Sequence, residues 1–228
     1  MKSNIKLREV VRSAILAMLL TGCSTTSVTK QEEIAPLDAV HLKQRAPLPL
    51  DQRKRVAVLE FEDKTDYGNG RLGRSASSIL TTFLIDSGQF ALYERERLDQ
   101  VLTEQNIAND RRFDPATAVA VGKTAGVELV VIGTVSNFGY RSRRDQALFL
   151  GSQVVQEAEA TVDVRIIEVA TGRIVASESG RGLVTKTTGE VLGVGSSAGY
   201  DETIAGNALR AAVSKYVDKL IDQSAYDK

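Results

Sequence analysis

The side chain best placed to carry covalent chemistry in this 228-residue chain is its single cysteine, Cys23. It follows Leu20-Thr21-Gly22 at the end of an apolar stretch that begins at Ala14, and Lys2, Lys6, Arg8 and Arg12 stand before that stretch. A positive segment, a short apolar segment and small residues at the cut make a secretory signal. The apolar part is far shorter than the roughly 20 residues that a membrane-spanning helix needs. With a cysteine first after the cut, Leu20, Thr21 and Gly22 read as a lipobox. Residues 1–22 are then removed, the Cys23 thiol takes a diacylglyceryl thioether, and the freed amine is acylated as well, with palmitate a suitable acyl group. Two or more chains anchor stably where one binds only marginally.

The remaining chemistry is sparse. His41 is the sole histidine and no second thiol exists. Cys/His metal sites, Ser-His-Asp triads and Cys-His nucleophiles are therefore excluded together, as is an intrachain disulfide. Gly68-Asn-Gly-Arg-Leu-Gly73 matches G-x-G-x-x-G, with Glu94 about 20 residues on, which on paper is a dinucleotide fingerprint. That fingerprint needs its first glycine directly after a strand, so that backbone amides and a helix N-terminus meet pyrophosphate. Here Glu62-Asp-Lys-Thr-Asp-Tyr67 intervenes, and its three carboxylates oppose a bound diphosphate. The segment reads as a flexible glycine loop, and the chain as non-enzymatic, with no cofactor and no metal. Twenty-nine basic and 29 acidic residues cancel, and tryptophan is absent, so neither a long-range field nor a stacking platform draws it to nucleic acid.

Elements follow from periodicity. Ser24 to Lys54 holds Pro36, Pro47 and Pro49 with scattered charge, and reads as an extended tether, so that residues 23–54 are a lipidated N-terminal arm. Residues 55–228 are the folded domain. Arg55-Val-Ala-Val-Leu-Glu-Phe61 suits a buried strand. Leu72, Ala76, Ile79, Leu80, Phe83 and Leu84 form a helical stripe up to Gly88. Phe90 to Glu94 is a short strand, and Leu98, Val101 and Leu102 give a second helix face. Asp114-Pro115 opens a third helix and Gly126 closes it. Val127 to Val135 is a strongly apolar strand. Ala158 to Ile166 alternates apolar and polar, and Ile174 to Ser177 pairs back across Thr171-Gly172, which indicates a sheet with one solvated face. A last helix carries Leu209, Val213, Tyr216, Val217, Leu220 and Ile221 on one stripe. The order βαβααβ, ββ, α describes an α/β sandwich with a mixed sheet.

Two stretches fit neither core nor short loop: Phe138 to Glu157, and Gly180 to Tyr200. Loops this long are uncommon unless functional or disordered. Each is long enough for a hairpin with arms of about 9–11 residues, the length a tilted strand needs to cross a bilayer. A solvated flexible hairpin is the competing reading for each.

The lipobox, the proline-bearing arm, Arg55-Val-Ala-Val-Leu-Glu-Phe61, Phe90-Ala-Leu-Tyr-Glu-Arg95, Gly126-Val-Glu-Leu-Val-Val-Ile-Gly-Thr134 and Val162-Asp-Val-Arg-Ile-Ile-Glu-Val169 with Thr171-Gly172-Arg173-Ile174 together resemble the curli production assembly/transport component family, CsgG-like. The resemblance implies a periplasmic α/β domain with two long β-hairpin insertions that join a shared transmembrane β-barrel. It further implies a homo-oligomer ring, held to outer-membrane lipid through acylated Cys23, that exports unfolded amyloid-type subunits with periplasmic accessory proteins. Ser24 after the cysteine, rather than Asp, resembles lipoproteins of the outer membrane. In the family a loop after the first strand narrows the pore. The corresponding loop here, Glu62 to Gly70, is shorter, and Glu62, Asp63, Asp66, Tyr67 and Asn69 are its candidate constriction residues. The alternative is a monomeric periplasmic lipoprotein module, such as an activator of a cell-wall synthase, which needs neither ring nor pore.

Labelling cells with palmitate should mark the wild-type protein and leave Cys23→Ala unmarked; a labelled variant refutes lipidation at this position.

Overall fold

Among the described residues six strands form one mixed sheet: β1 (Lys54–Val58), β2 (Glu62–Asp63), β3 (Phe90–Leu92), β4 (Leu129–Ala147), β5 (Gly151–Glu168) and β6 (Ile174–Glu190). Five α-helices among the same residues accompany them: α1 (Arg71–Asp86), α2 (Arg95–Glu104), α3 (Pro115–Ala125), α4 (Glu202–Ser214) and α5 (Val217–Ala225). The computed structural model describes residues 42–67, 69–104, 106, 114–147, 151–190 and 202–225, which lie in one unit, Glu32–Lys228. The sheet order is β3-β1-β4-β5-β6, with β2 paired to β4 beyond β1. Contacts of β1 with β3 and β4, and of β2 with β4, are parallel, while β4-β5-β6 is an antiparallel meander.

The predicted boundaries of α3 have a visible cause. Asp114 accepts a hydrogen bond from the Thr117 amide at 3.1 Å, Pro115 starts the helix, and Gly126 ends it at φ +69°. Along β5 the alternation is equally direct. Ala158, Ala160, Val162, Val164 and Ile166 are buried under α1, α4 and α5, while Glu159, Thr161, Asp163 and Arg165 lie on the other face. Near β1 that other face is covered as well, where Ala57, Leu59, Val130, Ile132 and Ile167 pack against Leu98 and Leu102 of α2 and Ala118 and Val121 of α3.

Four expectations change. Arg55–Phe61 is not one strand: β1 stops at Val58, and the chain rejoins β4 only at Glu62, opposite Thr134. The reason is Phe61, whose ring lies where a Cβ of Gly133 would stand, 2.6 Å from that position. Second, the two stretches expected as hairpins are extensions of core strands. Residues 138–147 continue β4, 151–157 begin β5, and 180–190 continue β6, all in one ladder. The described strands of this one chain form an open sheet, and residues 148–150 and 191–200 lie outside the described part. Third, the last helix is two, because i→i−3 bonds from Lys215 to Ala212 and Tyr216 to Val213 tighten the chain between α4 and α5.

The fourth change concerns the arm. Residues 42–53 are strapped to the domain. Arg45, with only 6% of its side chain exposed, donates to Asp218 Oδ1 at 2.6 Å, to the Asp218 carbonyl at 3.1 Å and to Asp222 Oδ1 at 3.0 and 3.1 Å. The Lys43 amide adds bonds to both Asp218 oxygens at 3.1 Å, and Pro47 packs on Gly88. Burial alone would raise the Asp222 pKa, but the hydrogen bonds and charges of Arg45 and Lys43 outweigh it and hold the carboxyl below the usual range.

A carboxyl held low in the folded state contributes stability above its unfolded pKa and loses it as pH falls through the folded value. Asp222→Asn should therefore melt below wild type at neutral pH, with the gap closing below about pH 4. Thermal melts at several pH values check this, and a gap independent of pH would refute it.

Candidate functional site

The loop between β2 and α1 is built by local bonds. Glu62 and Asp63 are not in a free loop but in β2, beside Thr134 and Val135 of β4. The Glu62 carboxylate meets Lys64 Nζ at 3.2 Å. Asp63 Oδ1 accepts from the Thr65 amide at 3.0 Å and the Thr65 hydroxyl at 2.6 Å, an Asx turn that reverses the chain. Its Oδ2 is buried without a hydrogen-bond partner. Asp66 is exposed and makes no hydrogen bond or ion pair among the described residues. Tyr67 leans edge-on against Phe138 of β4, ring centroids 5.0 Å apart at 72°, a favoured aromatic geometry. Asn69 and Gly70 both take left-handed backbone, φ +48° and +82°, and Gly70 caps α1.

Of the five candidate residues the structure thus ties down three. Glu62 and Asp63 are occupied by Lys64 and Thr65, and Tyr67 is set by Phe138, leaving Asp66 as the free carboxylate. Phe138 was invisible as a partner of Tyr67 in the sequence, because the two meet only through the pairing of β2 with β4. Cys23, Leu20, Thr21, Gly22, His41 and Gly68 lie outside the described residues.

Gly73 explains the G-x-G-x-x-G match differently. A Cβ there would stand 2.1 Å from the Phe61 carbonyl oxygen, so the glycine lets α1 pass the chain between β1 and β2 at backbone distance. Arg74 on the same turn pairs with Glu60 at 3.3 Å. Acidic Glu60, Glu62 and Asp63 therefore crowd the start of α1, where a diphosphate would need to sit.

The ribbon above this loop is the other notable surface. Beyond Asp63 and Val135, β4 has a partner only on its β5 side, and β6 pairs only with β5, so both outer edges are unpaired among the described residues. Arg141 and Arg143 stand on one face of the ribbon, and Arg144 and Lys186 on the other.

The sequence model of the family described as Curli production assembly/transport component CsgG matches residues 36–227. A protein of Neisseria meningitidis serogroup B that is named as a lipoprotein is 31% identical over 215 residues, covering 91% of this chain and 90% of its own length. Among solved structures, lipoprotein GNA1162 from Neisseria meningitidis superposes with a TM-score of 0.47 at 14% identity, covering 72% of this chain and 99% of that one. The LpoB C-terminal domain from Escherichia coli gives 0.40 at 16%, covering 56% and 81%. The PelC dodecamer from Paraburkholderia phytofirmans gives 0.36 at 15%, covering 76% and 95%.

Gly73→Ala tests the packing account. It should lower unfolding free energy by about 2 kcal/mol or more in urea melts, since a backbone carbonyl cannot yield as a side chain can. A tolerated alanine would mean that the glycine run is an open loop.

Proposed function

The chain belongs to the curli production assembly/transport component CsgG family, and we propose that it works as a lipid-anchored export component of the outer membrane. Protomers join into a homo-oligomeric ring that passes unfolded, amyloid-type polypeptides, without catalysis of its own, in concert with periplasmic accessory proteins. Cys23 holds each protomer to the membrane, and the loop Glu62–Gly70 faces the passage.

The ribbon is the observation that carries this reading. β4, β5 and β6 run for 19, 18 and 17 residues, against a common strand length of about 5–6. From Phe138 to Ala147 and back from Gly151 the ladder exceeds what the core needs and meets the roughly 9–11 residues of a bilayer-crossing strand. Long unpaired edges are a liability that folded proteins seldom leave open. Head-to-tail pairing of one protomer's β6 side with its neighbour's β4 side satisfies both edges, and a rotation that closes makes a ring.

The monomeric-module reading has one observation in its favour. Arg141, Arg143, Arg144 and Lys186 place cations on both faces of the ribbon. On a lipid-facing wall each costs about 2–4 kcal/mol at the bilayer midplane and little near the interfaces. A ring built from these strands therefore keeps this level at the head groups or against water, whereas a monomeric module keeps it in water throughout.

Full-length protein extracted in mild detergent should run as a large homo-oligomer by light scattering, and in planar bilayers its conductance should prefer cations. Asp66→Asn should weaken that preference more than Glu62→Gln or Asp63→Asn, and Tyr67→Ala should raise conductance. A strictly monomeric mass would eliminate the ring and leave the binding module. Rings without conductance would eliminate the channel.

A further inference from the structure

Where the helical layer ends and the ribbon continues, a cavity of about 520 Å³ opens between the β2–α1 loop, α1, α4 and β4. Its floor is apolar: Leu72, Ala205 and Leu209, all buried. Two tyrosines wall it. Tyr67, 37% exposed, is steadied by Phe138, and the Tyr140 hydroxyl accepts a 3.0 Å bond from Gln156 Nε2, so the ring is held at its polar end. Nothing lies within 4 Å of a Cβ built on Gly206, which keeps the α4 side open. At the rim, Arg71 and Glu202 pair at 2.9 Å and cancel, and Asp66 is left as the unpaired charge. A concave site of this size, apolar with a few fixed polar groups, is the usual form of a ligand pocket.

We propose that this cavity is a binding site for an aromatic side chain of an extended polypeptide that carries a basic residue next to it. The aromatic ring is matched by the floor and the two tyrosine walls, and the neighbouring cation by Asp66. The ligand class rests on the export reading, since an unfolded passing chain is what would present such a side chain; the cavity itself does not. A site of this kind grips briefly and sequence-tolerantly, because one buried ring and one surface ion pair supply only part of a stable interface.

The absence of tryptophan gives a clean probe. A blocked Lys-Trp-Lys peptide added to full-length protein in detergent should show a saturable blue shift of its emission, and blocked Glu-Trp-Glu a weaker one. Gly206→Phe fills the cavity from a helix position with free space and should reduce affinity roughly ten-fold or more. Ser75→Phe fills it from α1 and serves as the second variant should the first not fold by circular dichroism. Asp66→Asn should weaken binding about two- to five-fold and flatten its salt dependence. No saturable shift, or one that survives both filling variants, overturns the site, whether residues 191–201 or a second copy occupy it instead. Binding by a monomeric protein would uphold the pocket while the ring fails, and rings that bind no probe would do the reverse.

Discussion

Everything distinctive about the site depends on one extra residue in β4. The β4–β5 register runs Val135↔Val162 and then Asn137↔Thr161, so Ser136 is a bulge. Side chains in a strand alternate, and a bulge takes up one residue, so that core-facing positions change from odd to even numbers across it. Before the bulge Leu129, Val131 and Val135 face the helices α1, α4 and α5; after it Phe138 and Tyr140 do. Were Ser136 paired in regular register instead of bulged out, Asn137 would point into the core, and Phe138 would face water instead of Tyr67. The same bulge lies where β2 ends, with Lys64 donating to the Val135 carbonyl at 3.1 Å. The loop, its aromatic support and the tyrosine wall of the cavity are thus fixed by a single local irregularity.

A second constraint holds the long strands to the helical layer. Gly180 and Gly182 of β6 face α4, and a Cβ on them would stand 2.1 Å from the Ala212 oxygen and 2.2 Å from the Ala208 oxygen. The helix therefore rests on the strand at backbone distance, with Ala208 and Ala212 fully buried and small enough to permit it. Glycine usually weakens a strand. Here it exchanges side-chain packing for close approach, and β6 continues past the point where most edge strands stop.

Local patterns in the sequence were sufficient for the elements whose causes are local. The α3 caps, the β5 alternation and the Thr171-Gly172 turn, with Gly172 at φ +73°, each depend on residues a few positions apart. The strap was not legible for the opposite reason. Arg45 lies among prolines and isolated charges, and its worth comes from Asp218 and Asp222 at the far end of the chain. The parity switch from Val131 and Val135 to Phe138 and Tyr140 was present in the letters. It is masked by the bulge, which breaks the strict alternation between Val135 and Phe138. Of the candidate site, the acids and tyrosine of the loop were found, but their bonding was not: Thr65, Lys64 and Phe138 decide which of them remain available.

Charge and length in the ribbon pull in different directions, and the contest is informative about where such a sheet can work. Length alone favours crossing a membrane. Unpaired edge amides and carbonyls cost several kcal/mol each in hydrocarbon, so lone insertion of three strands is excluded on backbone grounds before any side chain is considered. Side chains then restrict the rest, because Arg141 and Arg143 share one face with Glu157 and Glu159 while Lys186 and Arg144 share the other with Gln156. Cations on both faces at this level are stable wherever water or a neighbouring protomer meets both, which in the proposed ring is its rim rather than its lipid wall. Edge pairing is favourable in that place as well, since backbone groups are satisfied whether the surroundings are lipid or water. For the proposed ring, the backbone thus calls for closure, and the side chains set the depth at which closure can occur.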